Sequence, residues 1–160
     1  MRLLISPCSF DMPVRNAPST TMHARILLVD DNVHGLSARR SVLEELGHTI
    51  ETAPGGTEAL ECLAKGTFDL VVTDYKMQSM DGLELIVRLR KQSAELPIIL
   101  ISGFVDSLGL SEENTGADVV IQKSANEVSH LVRAVGRLLR RKPGRKPAGS
   151  EGPKAKRKTV

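Results

Sequence analysis

The sequence predicts an α/β protein built on a doubly wound parallel sheet of five strands and five helices, and three observations carry that prediction. Short, continuous apolar runs recur between residues 24 and 141, as parallel strands covered on both faces require. Stretches with helical periodicity separate these runs, and a regular alternation of strand and helix is what right-handed crossovers in a parallel sheet produce. Four of the five strands also end in a polar, chemically capable residue.

The elements follow in order. Ile26–Val29 is the first apolar run. Leu36, Leu43 and Leu46 then mark one face of a helix that Gly47 ends. Thr49–Ala53 alternates polar with apolar, which suits an edge strand. Ala59, Leu60 and Leu63 define a second helix that stops near Gly66. Leu70–Val72 is the third strand, and Leu85, Ile86 and Leu89 mark the helix after it. Ile98–Ile101 is the fourth strand. Asp106 to Asn114 is the weakest helical segment, because Gly109 interrupts it. Val119–Ile121 closes the sheet, and Val128, Leu131, Val132, Val135, Leu138 and Leu139 form a clean stripe on the last helix.

At 160 residues the chain has room for one ordinary domain. Residues 1–23, with Pro7, Pro13 and Pro18 and a Ser-Thr-Thr cluster, read as a disordered leader; Met22 is a second candidate start beside Met1. Residues 142–160, rich in Lys, Pro, Gly and Ala, read as a disordered basic tail that buries too little to offset its ordering entropy. The net charge of +3 hides an asymmetry. Ten Lys or Arg and one acid lie at 137–160, leaving twelve basic and eighteen acidic residues before them. An acidic body with a basic tail is expected, and the tail offers only weak, salt-sensitive contact with nucleic acid, having no aromatic side chain for stacking. The two cysteines, Cys8 and Cys62, show neither metal-ligand spacing nor a disulfide framework, and no run approaches the length of a membrane span. A cytoplasmic protein is the expectation. His23, His34, His48 and His130 form no cluster along the chain.

In an open parallel sheet the ligand site lies beyond the carboxyl ends of the strands. The first strand runs into Asp30 and Asp31, the third into Asp74, the fourth into Ser102 and the fifth into Lys123. Any one of these alone is an ordinary turn or cap residue. Together, on one sheet edge, three carboxylates repel one another and call for a cation, with Mg²⁺ or Mn²⁺ the fit for oxygen ligands and water. A lysine and a hydroxyl facing that cation suit a phosphoryl group, and a carboxylate is a competent covalent nucleophile. Asp74, on the central strand, is the best placed. Asp81-Gly82 reads as a turn and helix start without a direct chemical role.

These stretches resemble the receiver family of two-component response regulators from about Ala24 to Arg140. The resemblance is carried by Ile26-Leu27-Leu28-Val29-Asp30-Asp31-Asn32, by Thr73-Asp74-Tyr75-Lys76-Met77-Gln78-Ser79-Met80-Asp81-Gly82, by Pro97-Ile98-Ile99-Leu100-Ile101-Ser102-Gly103 and by Gly116-Ala117-Asp118-Val119-Val120-Ile121-Gln122-Lys123. It implies the flavodoxin-like strand order 2-1-3-4-5 and phosphotransfer from a histidine kinase or phosphotransfer protein. It implies that Asp74 is the acceptor. Asp31, Asp74 and the main-chain carbonyl of Lys76 would hold Mg²⁺, with Asp30 acting mainly through water, and Ser102 and Lys123 would contact the phosphoryl oxygens.

Three departures from the family pattern stand out. Gln78 replaces a Pro in the loop after the acceptor, and Ser124 replaces the Pro that follows the lysine. A cis bond before a non-proline residue costs about 2.5–4 kcal/mol, so Ser124 predicts a trans loop. Val120 stands where the family places a switching aromatic, and a valine cannot swing as Tyr or Phe does; Phe104 and Tyr75 are the nearby aromatic alternatives. Lys76 also puts an ammonium beside the acceptor.

A stand-alone receiver that signals through protein contacts to an unknown output protein is the leading expectation, since too few residues follow the last helix for a DNA-reading output domain. No turnover of an external substrate is expected, and a homodimer stays open. A receiver-like binding module that does not switch is the second reading, motivated by Gln78, Val120 and Ser124. A haloacid-dehalogenase-type phosphatase is third. Its nucleophile sits in an Asp-x-Asp pattern after the first strand, where this chain has adjacent acids, and Lys76 occupies the place of the second acid after Asp74.

Overall fold

The computed structural model describes residues 22–141. The expected leader, apart from its last two residues, and the expected tail lie outside the described residues. Five strands form one parallel sheet in the order β2-β1-β3-β4-β5: β1 is Arg25–Val29, β2 Thr49–Ala53, β3 Leu70–Asp74, β4 Ile98–Ser102 and β5 Val119–Gln122. Six helical segments connect and close it: α1 (Val33–Glu45), α2 (Gly56–Lys65), α3 (Gly82–Gln92), α4 (Val105–Leu108), α5 (Glu112–Thr115) and α6 (Glu127–Arg140). Among the described residues no helix is long and apolar enough to cross a membrane.

Every residue of β3 and β4 is buried, as continuous apolar runs in the middle of a parallel sheet must be. Alternate residues of each strand feed two cores. Ile26, Leu28, Val72, Ile99 and Ile101 pack with Leu43 of α1 and with Leu131, Val135 and Leu138 of α6. Leu27, Val29, Val71, Ile98 and Leu100 pack on the opposite face with Ala59 of α2 and with Leu85, Ile86 and Leu89 of α3. β2, at the edge, keeps its outward residues in water, matching its mixed sequence.

Two local expectations are corrected. Leu46 does not share the buried face of Leu36 and Leu43. α1 ends at Glu45, and Leu46 caps it at 41% exposure before Gly47 turns the chain at φ 89°. The segment expected as one helix over Asp106–Asn114 is two single turns. Gly109 adopts a left-handed conformation at φ 61° that ends the first, and Ser111 opens the second by exchanging hydrogen bonds with Asn114.

Candidate phosphoacceptor site

The register of the sheet brings the polar strand ends together. Val29 lies opposite Thr73, Asp74 opposite Ile101, and Ser102 opposite Gln122, so Asp30, Asp74, Ser102 and Lys123 emerge at one edge of the sheet. Main-chain hydrogen bonds between neighbouring strands hold this edge together. Asp30 N–H donates to Ala53 O (3.2 Å), Tyr75 N–H to Ile101 O (2.8 Å) and Lys123 N–H to Ser102 O (2.8 Å).

Asp74 is buried, at 3% exposure, and its two oxygens differ. Oδ2 accepts the Lys76 N–H at 3.2 Å. Oδ1 lies 2.6 Å from Lys123 Nζ as a charge contact, yet no hydrogen-bond donor among the described residues is aligned on it. Burial pushes the Asp74 carboxyl above its ordinary range, while the Lys123 ammonium pulls the other way and the Asp30 charge adds to the rise. Ser102 is buried at the end of β4, and its Oγ accepts the Phe104 N–H at 3.0 Å. Phe104 itself is 47% exposed, with Lys76 Nζ 5.9 Å from its ring centre.

The chain is shaped around the acceptor. Thr73 Oγ1 donates to the Asp74 carbonyl, and Gly82 N–H donates to the Tyr75 carbonyl at 2.8 Å. A Cβ at Gly82 would fall 2.4 Å from Asp74 O, so only glycine lets α3 start this close to the acceptor's own main chain. Asp81 caps α3 by accepting the Glu84 N–H at 2.8 Å. The turn and helix start expected at Asp81-Gly82 are present, and the glycine also positions the acceptor's backbone.

The crowding of three free carboxylates inferred from the sequence takes a different form. Asp30 is 1% exposed, and both of its oxygens are engaged. Oδ1 accepts the Asn32 N–H at 2.8 Å, and Oδ2 accepts from the Arg39 guanidinium at 2.6 Å. Arg39 is itself buried in α1 and reaches Glu127 at the start of α6 through Nε, again at 2.6 Å. Burial opposes its charge, but the carboxylates of Glu127 and Asp30 outweigh burial and hold the guanidinium firmly protonated. Arg39 and Lys123 thus supply the counter-charge that the sequence reading assigned to a metal alone. Sequence reasoning did not single out Arg39. The signal was that Arg39, unlike its neighbour Arg40, keeps helical spacing with Leu36 and Leu43, on the face that those residues bury.

Among the described residues no three His, Cys, Asp or Glu side chains converge as a ready-made metal cluster. Mg²⁺, however, is usually held by one or two carboxylates and keeps several waters. Asp74 Oδ1, buried without an aligned donor, and Asp31, exposed at the mouth of the crevice, match that smaller demand.

The departures noted in the sequence are also visible. The described residues contain no cis peptide bond, so the Lys123–Ser124 bond is trans, as Ser124 predicts. Ser124 Oγ accepts the Asn126 N–H at 3.3 Å, and Ser124 O accepts the Glu127 N–H at 3.1 Å, which sets the first turn of α6. Val120 is half-buried in β5. After Gln78, Ser79 sits at φ 67°, a left-handed backbone that favours glycine.

Residues 26–135 match the family model described as the response regulator receiver domain. The chain belongs to this family. It is 35% identical over 122 residues to the response regulator MprA of Mycobacterium ulcerans, covering 75% of this chain and 52% of that protein. It is 34% identical over 133 residues to the gliding motility regulatory protein of Myxococcus xanthus, covering 79% of this chain and 16% of the relative. The chain therefore spans about half or less of these curated relatives. Among solved structures it is similar to the response regulator TrrA of Thermotoga maritima in complex with Mg²⁺ and BeF, with a TM-score of 0.65, 33% identity, and coverage of 71% of this chain and 97% of that one. It is also similar to the chemotaxis protein CheY4 of Vibrio cholerae, with a TM-score of 0.66, 28% identity, and coverage of 72% and 98%. The protein is a receiver domain of two-component signalling, and its flavodoxin-like sheet order is that of its family.

Proposed function

We propose that Asp74 accepts a phosphoryl group from the phosphohistidine of a histidine kinase or phosphotransfer protein, and that the phosphorylated receiver acts through protein contacts. The observation that carries this reading is Asp74 itself: a buried carboxylate at the end of the central strand, with one oxygen pinned by Lys76 N–H and the other beside the Lys123 ammonium. In the transfer, an Asp74 oxygen forms the new O–P bond as the P–N bond to the donor imidazole breaks, and the electron pair leaves on that nitrogen. Lys123, released from Asp74 Oδ1, would pair with a phosphoryl oxygen. Ser102 would donate its hydroxyl to another. Asp31, Asp74 and the Lys76 carbonyl would hold Mg²⁺, with Asp30 reaching it through water. When bound, the ion offsets charge on the transferring group. The receiver occupies residues 24–141 in this reading, with the flanking segments serving as leader and tail, and its setting is the cytoplasm.

The test uses the full chain with Mg²⁺ and a small-molecule phosphodonor, followed by phosphate-affinity electrophoresis. A retarded band that Asp74→Asn abolishes supports the proposal. A band that survives that substitution, or no band in the wild type, ends it. A second reading, a binding module that accepts no conformational signal, is favoured by Val120 in the place of a mobile aromatic. It predicts that a beryllofluoride phosphate mimic with Mg²⁺ shifts no amides beyond the immediate site.

A further inference from the structure

Arg39 has no role in the phosphotransfer described above, yet it is among the few buried charged side chains of the protein. Its side chain is 6% exposed, between Asp30 at 1% and Glu127 at 14%. The two contacts use different edges of the guanidinium: Nη1 meets Asp30 Oδ2 and Nε meets Glu127 Oε1, both at 2.6 Å. Only a planar fork can meet two carboxylates in this way, and a lysine could serve one of them. The backbone is cut to fit. A Cβ at Gly35, one turn before Arg39, would lie 3.2 Å from Asp30 Oδ2 and 3.5 Å from Arg39 Nη1, so the missing side chain leaves room for the pair. On the other side, the Ser124 carbonyl accepts the Glu127 N–H and fixes the turn from which Glu127 reaches back.

We propose that Arg39 is a positioning residue that sets the cation affinity of the acidic crevice, and that Glu127 on α6 tunes it. The inference deepens the phosphoacceptor reading and rests on it. A buried ion cluster adds little to stability over an apolar replacement, but removing one member leaves an uncompensated charge, so its members act as one unit. Within that unit the Arg39 charge is divided between two acids. Neutralising Glu127 leaves the whole charge to Asp30 and makes the crevice less attractive to a cation. Neutralising Arg39 does the reverse. Glu127 begins the last helix, so the first turn of α6 and the strand-end crevice are linked through one guanidinium.

The experiment titrates the full chain with Mg²⁺ alone, read by amide shifts at Asp30–Asn32 and by the fluorescence of Tyr75, the protein's one tyrosine. A single charge several ångströms from a partly buried ion site changes affinity by about three- to tenfold. Arg39→Gln is expected to tighten Mg²⁺ by that factor. Glu127→Gln is expected to weaken it by about half as much on a logarithmic scale, because the charge acts through Arg39 and not directly. The double variant should match Arg39→Gln alone. Arg39→Lys keeps the charge, so it should restore near-wild-type affinity while losing the response to Glu127→Gln. A purely structural pin would lower the melting temperature in every variant and move Mg²⁺ affinity in one direction or not at all. An Arg39→Gln affinity within about twofold of wild type, or shifts of the same sign in Arg39→Gln and Glu127→Gln, overturn the inference and leave Asp74 as acceptor untouched. A wild-type chain that does not respond to Mg²⁺ overturns both readings.

Discussion

Gly82→Ala tests how tightly the acceptor strand and α3 are built together. The new Cβ would stand 2.4 Å from Asp74 O, 3.0 Å from Leu100 Cδ1 and 3.1 Å from Tyr75 Cα. Two of those three neighbours are main chain, so relief requires α3 to move away or the Asp74–Tyr75 backbone to shift. Overpacking of this kind costs about 1–3 kcal/mol, and a backbone clash belongs at the upper end of that range. For a domain of this size that corresponds to a melting temperature lower by roughly 6–12 °C. Thermal unfolding followed by far-UV circular dichroism measures it. Gly103→Ala is the control, since a Cβ there meets nothing within 4 Å among the described residues and the substitution should stay within about 0.5 kcal/mol. Because the shifted atoms include the acceptor's own carbonyl, Gly82→Ala should also slow phosphorylation of Asp74 by a small-molecule donor, and Gly103→Ala should have a weaker effect. Equal melting temperatures for wild type and Gly82→Ala would refute the claim that this glycine is there for close approach.

Three further outcomes are expected. Ser79→Gly removes a left-handed backbone conformation from a residue with a Cβ, at φ 67°, and should stabilise the domain by about 1 kcal/mol in chemical denaturation; a loss of stability contradicts this. Burial, with the His23 charge adding to it, lowers the pKa of His48 below 6.5, and its Nδ1 is buried without a hydrogen-bond partner among the described residues. The fold therefore favours the neutral ring: its contribution is whole above pH 6.5 and is lost as the pH falls through the lowered folded value. Melting temperatures at pH 7.5, 6.5 and 5.5 (about one unit apart) should fall less steeply in His48→Gln than in wild type, and parallel slopes count against the assignment. Leu131→Ala, which opens a void where α6 meets the sheet, should cost about 2–5 kcal/mol in urea unfolding; a cost under 1 kcal/mol would mean that α6 packs loosely.

The sheet was legible because its central strands are buried on both faces and appear as uninterrupted apolar runs. All five residues of β3 and of β4 are buried, and the strands end at Asp74 and Ser102. The acidic pair, the acceptor, the hydroxyl and the lysine were legible for the same reason, each lying within two residues of the end of such a run. What stayed hidden depends on geometry that no local pattern carries. Leu46 keeps helical spacing with Leu43, but α1 stops before it, and one residue past a helix end a side chain no longer follows the helix face. Gly109 was visible as an interruption, yet only its left-handed backbone decides that the segment breaks into two turns. Arg39 is the clearest case. An arginine in a helix ordinarily projects into water, as Arg40 does, and the ion pair of Arg39 depends on Glu127, 88 residues further along, which only the fold brings within reach.

Phosphorylation joins phosphorus to one carboxylate oxygen and activates the carbonyl carbon beside it, so the acceptor can be read directly. An acyl phosphate is reduced by borohydride to an alcohol, so trapping the phosphorylated chain and mapping its peptides by mass spectrometry locates the acceptor. The account predicts homoserine in place of Asp74 and nowhere else, dependent on both Mg²⁺ and the phosphodonor. Reduction at Asp30 or Asp31 instead, or no reduced residue in a chain that binds Mg²⁺, contradicts it.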